Sequence, residues 1–375
     1  MPKYQVEEIR NIAFCGHGSS GKTTLVDKLL TSTGTLNRHA SVEDGTSICD
    51  FDEEEKHHQY SIEASLVHFD HAGKHFHVID TPGYPDFIGQ TIGAMRGVDT
   101  AAIVINAQAG IEVNTRRVFA EAGKAGLGRM IVINLFIFSP IFEPVMVEGI
   151  KELFGNACVL LNVPLGHGAD FRGVASTLGV PDDTAGALID PHQIAEPLME
   201  SIIEVDEEVM ERYFDGTHPT QEELARLISR AVAEGTLIPI VCTAGKTGVG
   251  VPELLEAMCL CSVAPGAVKR TAKSPDGEEV DLKADPAGPL VAQVFKTRID
   301  PFVQRLSFLR VYSGVLKKDS SVPVVGERRP VKLSQLFHVQ ADQTDPIDEV
   351  GPGGIVAVTK VEELCTGSTL GELAM

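Results

Sequence analysis

The chain has 375 residues, 43% of them apolar, and a formal charge of −20, enough for two or three domains with cores of their own. The acidic balance excludes coating of DNA by a basic face, which needs clustered Lys and Arg, and leaves room only for a local RNA contact. No apolar run approaches the roughly 18 to 20 residues of a membrane helix and the start MPKYQVEEIR is polar, so the expectation is a cytoplasmic protein with neither membrane nor DNA as partner.

The seven cysteines (15, 49, 158, 242, 259, 261, 365) are scattered, with no CxxC pair, and read as reduced thiols in apolar segments. In chain order, an apolar strand over 9–15 leads into Gly16-His17-Gly18-Ser19-Ser20-Gly21-Lys22-Thr23, followed by helical spacing of Leu25, Leu29 and Leu30. Strand, glycine loop and helix make a phosphate-binding P-loop of pattern GxxxxGK[ST]. Its backbone N–H groups and the helix dipole favour polyphosphate. Lys22 would reach the outer phosphates, Thr23 would hold Mg²⁺, and Thr24 opens the helix beside them. Further strands over 75–79, 101–106 and 130–134 alternate with a helix over 115–125, which predicts a mainly parallel sheet covered by helices. An α-rich portion over about 148–235, with acidic helical stretches at 197–213 and 221–234, reads as an insertion. The sheet resumes at 238–242, followed by a helix over 252–261. Residues 264–288 read as a linker or exposed hairpin. Short β-type runs at 290–296, 303–313, 321–325, 331–338 and 355–361 carry the signature of a small barrel. The fold class is therefore α/β, a P-loop NTPase domain over 1–263 with an α-rich insertion, then an all-β barrel over 289–375.

A P-loop needs a second carboxylate to orient magnesium, and Asp80-Thr81-Pro82-Gly83 follows its strand as that role requires. Asp80 is the metal partner. Gly83 has no side chain, so its N–H can approach a γ-phosphate and its backbone can change between states.

These motifs, with Asp80-Thr81-Pro82-Gly83-Tyr84-Pro85-Asp86-Phe87, Asp50-Phe51-Asp52-Glu53-Glu54-Glu55-Lys56 and Asp300-Pro301-Phe302-Val303-Gln304-Arg305-Leu306, resemble the translational GTPases, most closely elongation factor G-like proteins, over nearly the whole chain. The resemblance implies a GTPase domain with the insertion of that family and a translation-factor barrel. It implies GTP/GDP and Mg²⁺ as cofactors, guanine nucleotide and, transiently, the ribosome as partners, and hydrolysis of GTP. Full-length members continue with three more domains, so a truncated form or an excised fragment is expected.

Three departures stand out. In Lys56-His57-His58-Gln59-Tyr60-Ser61-Ile62, Ser61 replaces the threonine that binds Mg²⁺ in the family's first switch; a serine hydroxyl serves the same purpose. Tyr84 stands at the histidine that positions the attacking water, and tyrosine differs in reach and cannot become an imidazolium, so slow hydrolysis is expected. Asn134-Leu135-Phe136-Ile137 aligns with Asn-Lys-x-Asp, and Ile137 cannot accept the hydrogen bonds of guanine, a penalty of roughly 1.5 to 3 kcal/mol or more, about tenfold to more than a hundredfold. Residues 135–146 are read either as an adapted base pocket or docking patch, or as a segment that packs differently. Thr243-Ala244-Gly245 resembles the element whose backbone N–H meets guanine O6. With Lys22, Gly83 and Tyr84 at the chemistry, the base would lie by Asn134.

His68, His71, His75 and His77 bracket a turn without metal-ligand spacing and read as a solvated hairpin; Glu53, Glu54 and Glu55 read as an exposed acidic face. The sequence leaves two functions open: a GTPase that is slow or ribosome-dependent, or a non-catalytic nucleotide switch or ribosome-binding module with impaired guanine selectivity.

Overall fold

The computed structural model describes residues 4–38, 40–134, 144–300 and 304–375. The first unit runs β1 (Ile9–Gly16), α1 (Lys22–Ser32), α2 (Glu53–His58), β2 (Ser65–His71), β3 (Lys74–Asp80), α3 (Ile88–Gly97), β4 (Thr100–Asn106), α4 (Val113–Lys124), β5 (Gly128–Asn134) and α5 (Pro144–Phe154). It continues with β6 (Cys158–Leu160), β7 (Asn162–Leu165), β8 (Gly173–Ser176), α6 (His192–Ile203), α7 (Glu207–Phe214), α8 (Gln221–Glu234), β9 (Ile238–Thr243) and α9 (Val251–Cys261). Seven strands form one sheet in the order β2-β3-β1-β4-β5-β9-β6, parallel except for the β2–β3 hairpin. Both faces are covered, which is why β1 is buried along its whole length. Ile12 and Phe14 face α1, α8 and α9, while Ala13 and Cys15 face α3 and α4, the strand period of two dividing one apolar run between two cores.

The stretch read as α-rich is mixed. The expected helix over 197–213 is two helices, α6 and α7, broken at 204–206 where Asp206 caps α7 through the Val209 N–H at 3.3 Å. The segment also contributes β6 to the main sheet and the β7–β8 hairpin, short strands whose three or four residues carry no readable alternation. In α8 the Thr220 hydroxyl accepts from the Glu223 N–H at 3.2 Å and the Glu223 carboxylate accepts from the Thr220 N–H at 2.9 Å, a reciprocal cap.

Residues 270–282 form a hairpin of β10 (Arg270–Lys273) and β11 (Glu279–Leu282). Then follow β12 (Val291–Asp300), β13 (Gln304–Ser313), β14 (Leu316–Lys317), β15 (Ser320–Val322), β16 (Val331–Leu333), β17 (Leu336–Gln340), β18 (Gln343–Ile347), β19 (Glu349–Val350), β20 (Ile355–Thr359) and β21 (Thr369–Gly371). This is an all-antiparallel β domain, a sheet ordered β18-β17-β20-β13-β12-β21 with the pairs β14–β19 and β15–β16. The run expected over 331–338 is split, since residues 334 and 335 lie between β16 and β17.

The β domain is held against the switch side of the first unit. Gly93 and Gly97, one helical turn apart on α3, let Phe295 of β12 approach so closely that a methyl group on Gly93 would lie 2.9 Å from the Phe295 carbonyl oxygen. The Lys296 ammonium donates to the Ala64 carbonyl at 2.6 Å and pairs with Glu63 at 2.8 Å. At the far end Asp99, fully buried, accepts from Arg310, Arg270 and Asn11, each at 2.8 Å. A buried carboxylate needs such a set of donors.

Candidate nucleotide site

The P-loop joins β1 to α1, and its lysine and threonine lie in the first turn of that helix. Lys22 is buried, and its ammonium donates to the His17 carbonyl at 2.8 Å. The Thr23 hydroxyl donates to Asp80 Oδ2 at 2.6 Å and lies 3.1 Å from Ser61 Oγ. Three residues assigned to magnesium from the sequence are thus together, although 23, 61 and 80 come from a helix, a loop and a strand end. Asp80 Oδ1 and Ser20 Oγ are buried and have no hydrogen-bond partner among the described residues. Burial pushes the Asp80 carboxyl well above the usual carboxylate range, with Asp50 adding to it, and burial lowers the Lys22 ammonium. Desolvated acceptors beside two hydroxyls are a donor set that suits a hard divalent cation. His17 lies at the loop's edge, with Nε2 3.3 Å from Glu112 Oε1; Ser19 is exposed, and Gly18, Gly21 and Thr24 are half-buried.

Gly83 presses on this loop. A methyl group there would lie 2.5 Å from Lys22 Nζ and from the His17 carbonyl oxygen. The Tyr84 ring covers Gly18, whose added methyl would meet the ring at 3.2 Å, and its centroid is 4.8 Å from that of Tyr60. Tyr60 in turn stacks on His58 at 5.4 Å.

At the other end Asn134 ties the P-loop to the exit of β9, donating to the Ser20 carbonyl at 2.9 Å and accepting from the Gly245 N–H at 2.9 Å. In Thr243-Ala244-Gly245, the element expected to meet guanine O6, the Ala244 N–H donates to the Val249 carbonyl at 2.8 Å, because the 244–249 turn closes on itself as a bridge. The Thr243 hydroxyl donates to the same carbonyl at 3.1 Å. Leu135, Phe136 and Ile137, and 138–143 after them, lie outside the described residues, as do 301–303 of the quoted 300–306 run.

Four residues escaped sequence reasoning. Asp50 is buried near Asp80 and Lys22, and its carboxyl is pushed up to about 6, by burial foremost; its place in the quoted Asp50-Phe51-Asp52 run was the available signal. Tyr60 had none beyond its neighbourhood to Ser61. Glu55 is not part of an exposed acidic face: it is 2% exposed, and its carboxylate accepts from the N–H groups of Ile62 at 2.9 Å and Glu63 at 3.0 Å, bracing the loop that carries Ser61. Asn114, in the first turn of α4, donates to the Gly83 carbonyl at 2.7 Å.

The histidines also depart from expectation. His75 and His77 are buried, not solvated. His75 Nδ1 is 2.7 Å from Asp70 Oδ1, and its ring stacks on Tyr4 at 3.9 Å. The Asn11 amide nitrogen donates to Asp99 and to the Gly353 carbonyl, so its oxygen must be the atom 2.9 Å from His77 Nδ1, which therefore carries the proton. His338 of β17 packs beside these rings from the β domain, 5.2 Å from His68; this packing between domains is invisible to the strand pattern.

Residues 7–136 match the family described as elongation factor Tu GTP binding domain, and residues 289–373 match elongation factor G domain 2. A crystal structure of a Thermus thermophilus protein is similar over 97% of this chain at 28% identity, with a TM-score of 0.83. The chain belongs to the elongation factor G-like translational GTPases. It spans about half of the Thermus thermophilus structure, 54% of its length. Membership implies guanine-nucleotide binding by the first domain. No helix among the described residues is long and apolar enough to cross a membrane.

Proposed function

We propose that the chain is the nucleotide-binding and switch portion of a translational GTPase, acting in the cytoplasm and meeting the ribosome transiently. Residues 1–263 would be the GTPase domain with its insertion, 264–288 the linking hairpin and 289–375 the second domain. The observation that carries the reading is the meeting of Thr23, Ser61 and Asp80 beside Lys22, with Asp80 Oδ1 left without a partner among the described residues.

Thr23, Ser61 and Asp80 would hold Mg²⁺, and the loop from Gly16 to Thr24 would cradle the phosphates with its N–H groups. The magnesium ion would supply neutralising charge to the phosphate oxygens during attack by water. Lys22 contributes fixed positive charge in a site from which water is excluded. Gly83 offers its N–H to the γ-phosphate. Tyr84 occupies the water-positioning place and can orient water by a hydrogen bond but not as a cation, which supports slow hydrolysis.

One observation favours reduced guanine selectivity as a second reading: the Ala244 and Gly245 N–H groups are already committed to Val249 and Asn134. Calorimetric titration with GDP, a non-hydrolysable GTP analogue and its ATP counterpart tests both, followed by phosphate release with and without ribosomes. Binding of the guanine forms, lost in Lys22→Ala, is expected; no binding of any nucleotide overturns the proposal. Equal affinity for adenine and guanine forms supports the second reading, and the pair Leu135→Lys with Ile137→Asp should then restore guanine preference.

A further inference from the structure

The two carbonyls that follow Thr81 are pinned by side chains from different helices. The Thr91 hydroxyl of α3 donates to the Pro82 carbonyl at 3.1 Å. The Asn114 amide nitrogen of α4 donates to the Gly83 carbonyl at 2.7 Å. Asn114 is 2% exposed, and because its nitrogen must face a carbonyl, its Oδ1 is the atom left over; that oxygen is buried and accepts no hydrogen bond among the described residues. A buried amide with one half satisfied is costly to keep, and Ala or Leu would fit an ordinary helix start as well.

Gly83 lies where a phosphate oxygen bound by Lys22 would need room. A methyl group on it would be 2.5 Å from Lys22 Nζ and 2.6 Å from the Gly18 nitrogen, so this stretch of backbone is packed on the ammonium that would reach for an outer phosphate. A phosphate oxygen competing for Lys22 would press on the Gly83–Tyr84 peptide and favour its turning, and Asn114 holds that peptide by its carbonyl. When that peptide turns over, its N–H, which belongs to Tyr84, replaces the carbonyl in front of Asn114. A carboxamide is able to serve both orientations by rotating its last bond, offering nitrogen to the carbonyl and oxygen to the N–H.

We propose that Asn114 is a positioning residue that sets the preference between di- and triphosphate, latching the Gly83–Tyr84 peptide against the P-loop through its nitrogen and receiving the turned peptide through its oxygen. This rests on the nucleotide reading above. It also places the backbone of Tyr84, at the water position, under the control of α4.

The test compares the whole chain with Asn114→Asp, which keeps only the acceptor, and Asn114→Leu, which keeps neither function at similar volume. Hydrogen–deuterium exchange at Gly83 and Tyr84 is read without nucleotide, and calorimetry with GDP and a non-hydrolysable GTP analogue is read in magnesium buffer. Exchange should quicken in both variants. The analogue should tighten relative to GDP by about two- to tenfold in Asn114→Asp, the worth of one hydrogen bond, and by less in Asn114→Leu. Equal weakening of both nucleotides in both variants would mean a merely structural role and overturns the latch, as does unchanged exchange in folded variants. If the unmodified chain binds neither nucleotide, the proposed function falls, and exchange at Gly83 and Tyr84 alone decides for or against the latch.

Discussion

The phosphate end and the base end of the candidate site are built in opposite ways. At the phosphate end, Ser20 Oγ and Asp80 Oδ1 are buried without hydrogen-bond partners among the described residues, Gly83 is pressed onto Lys22, and the carboxyls of Asp80 and Asp50 are pushed upward by burial. At the base end each polar group that was singled out is satisfied within the chain: Asn134 at both atoms, Gly245 and Ala244 at their N–H groups, Thr243 at its hydroxyl. An unpaired buried polar atom costs about 1 to 3 kcal/mol. The phosphate end therefore holds stability in reserve for a ligand to release, while the base end spends its hydrogen bonds on holding the P-loop in register with β9. Affinity should come from the first and rigidity from the second.

That contrast can be broken most sharply at Lys22. Lys22→Ala should weaken every nucleotide by about a hundredfold while leaving the unfolding temperature unchanged or higher, since a desolvated ammonium is removed; calorimetry and thermal unfolding on one sample decide it. Asn134→Ala should do the reverse, lowering stability in urea unfolding by about 2 to 4 kcal/mol because it strands the Ser20 carbonyl and the Gly245 N–H together. A loss below about 1 kcal/mol would show that the base end is not framework.

A third unfinished group lies outside the site. His77 Nε2 is buried without a partner among the described residues, and burial first, then His75, His338, His68 and Arg310, hold the imidazole well below its ordinary value. The folded state thus refuses a proton that the unfolded state takes below about pH 6.5. Stability is present above that value and falls on acidification, by at most about 1.4 kcal/mol per pH unit for one group. Unfolding of the unmodified chain and of His77→Gln at pH 7.5 and 5.5 measures it, and an equal loss in both would assign the effect elsewhere. The smallest effect is expected at Ser20→Ala, a gain of about 1 kcal/mol in unfolding, because the buried hydroxyl it removes has no partner to strand; a loss of stability would show that the hydroxyl is not an unmade bond.

Much of the scaffold was legible in the sequence. The strand, glycine loop and helix around 16–23, the carboxylate at the end of β3 and the short β runs after 289 are contiguous signals, and contiguous chemistry is what periodicity and spacing report. The insertion was less so: β6 and the β7–β8 hairpin are too short for a pattern, and Pro197 inside α6 gave no hint of the break at 204–206. At the site, Thr23, Ser61 and Asp80 were given roles from the sequence, but Asp50, Asn114, Glu55 and Tyr60 were not.

The sequence by itself determined the strand, glycine loop and helix of the P-loop, because that motif needs only its own residues and their two flanking elements. Only the tertiary structure decided which polar groups are finished and which are left open. Glu55 looked exposed until the backbone of 62 and 63 folded onto it, and His77 looked solvated until β17 closed over β3. Asn114 gained a role only when α4 met the Gly83 carbonyl. A residue's pattern states which face it occupies; its partners come from segments tens to hundreds of residues away, and burial sets what an unmade hydrogen bond costs.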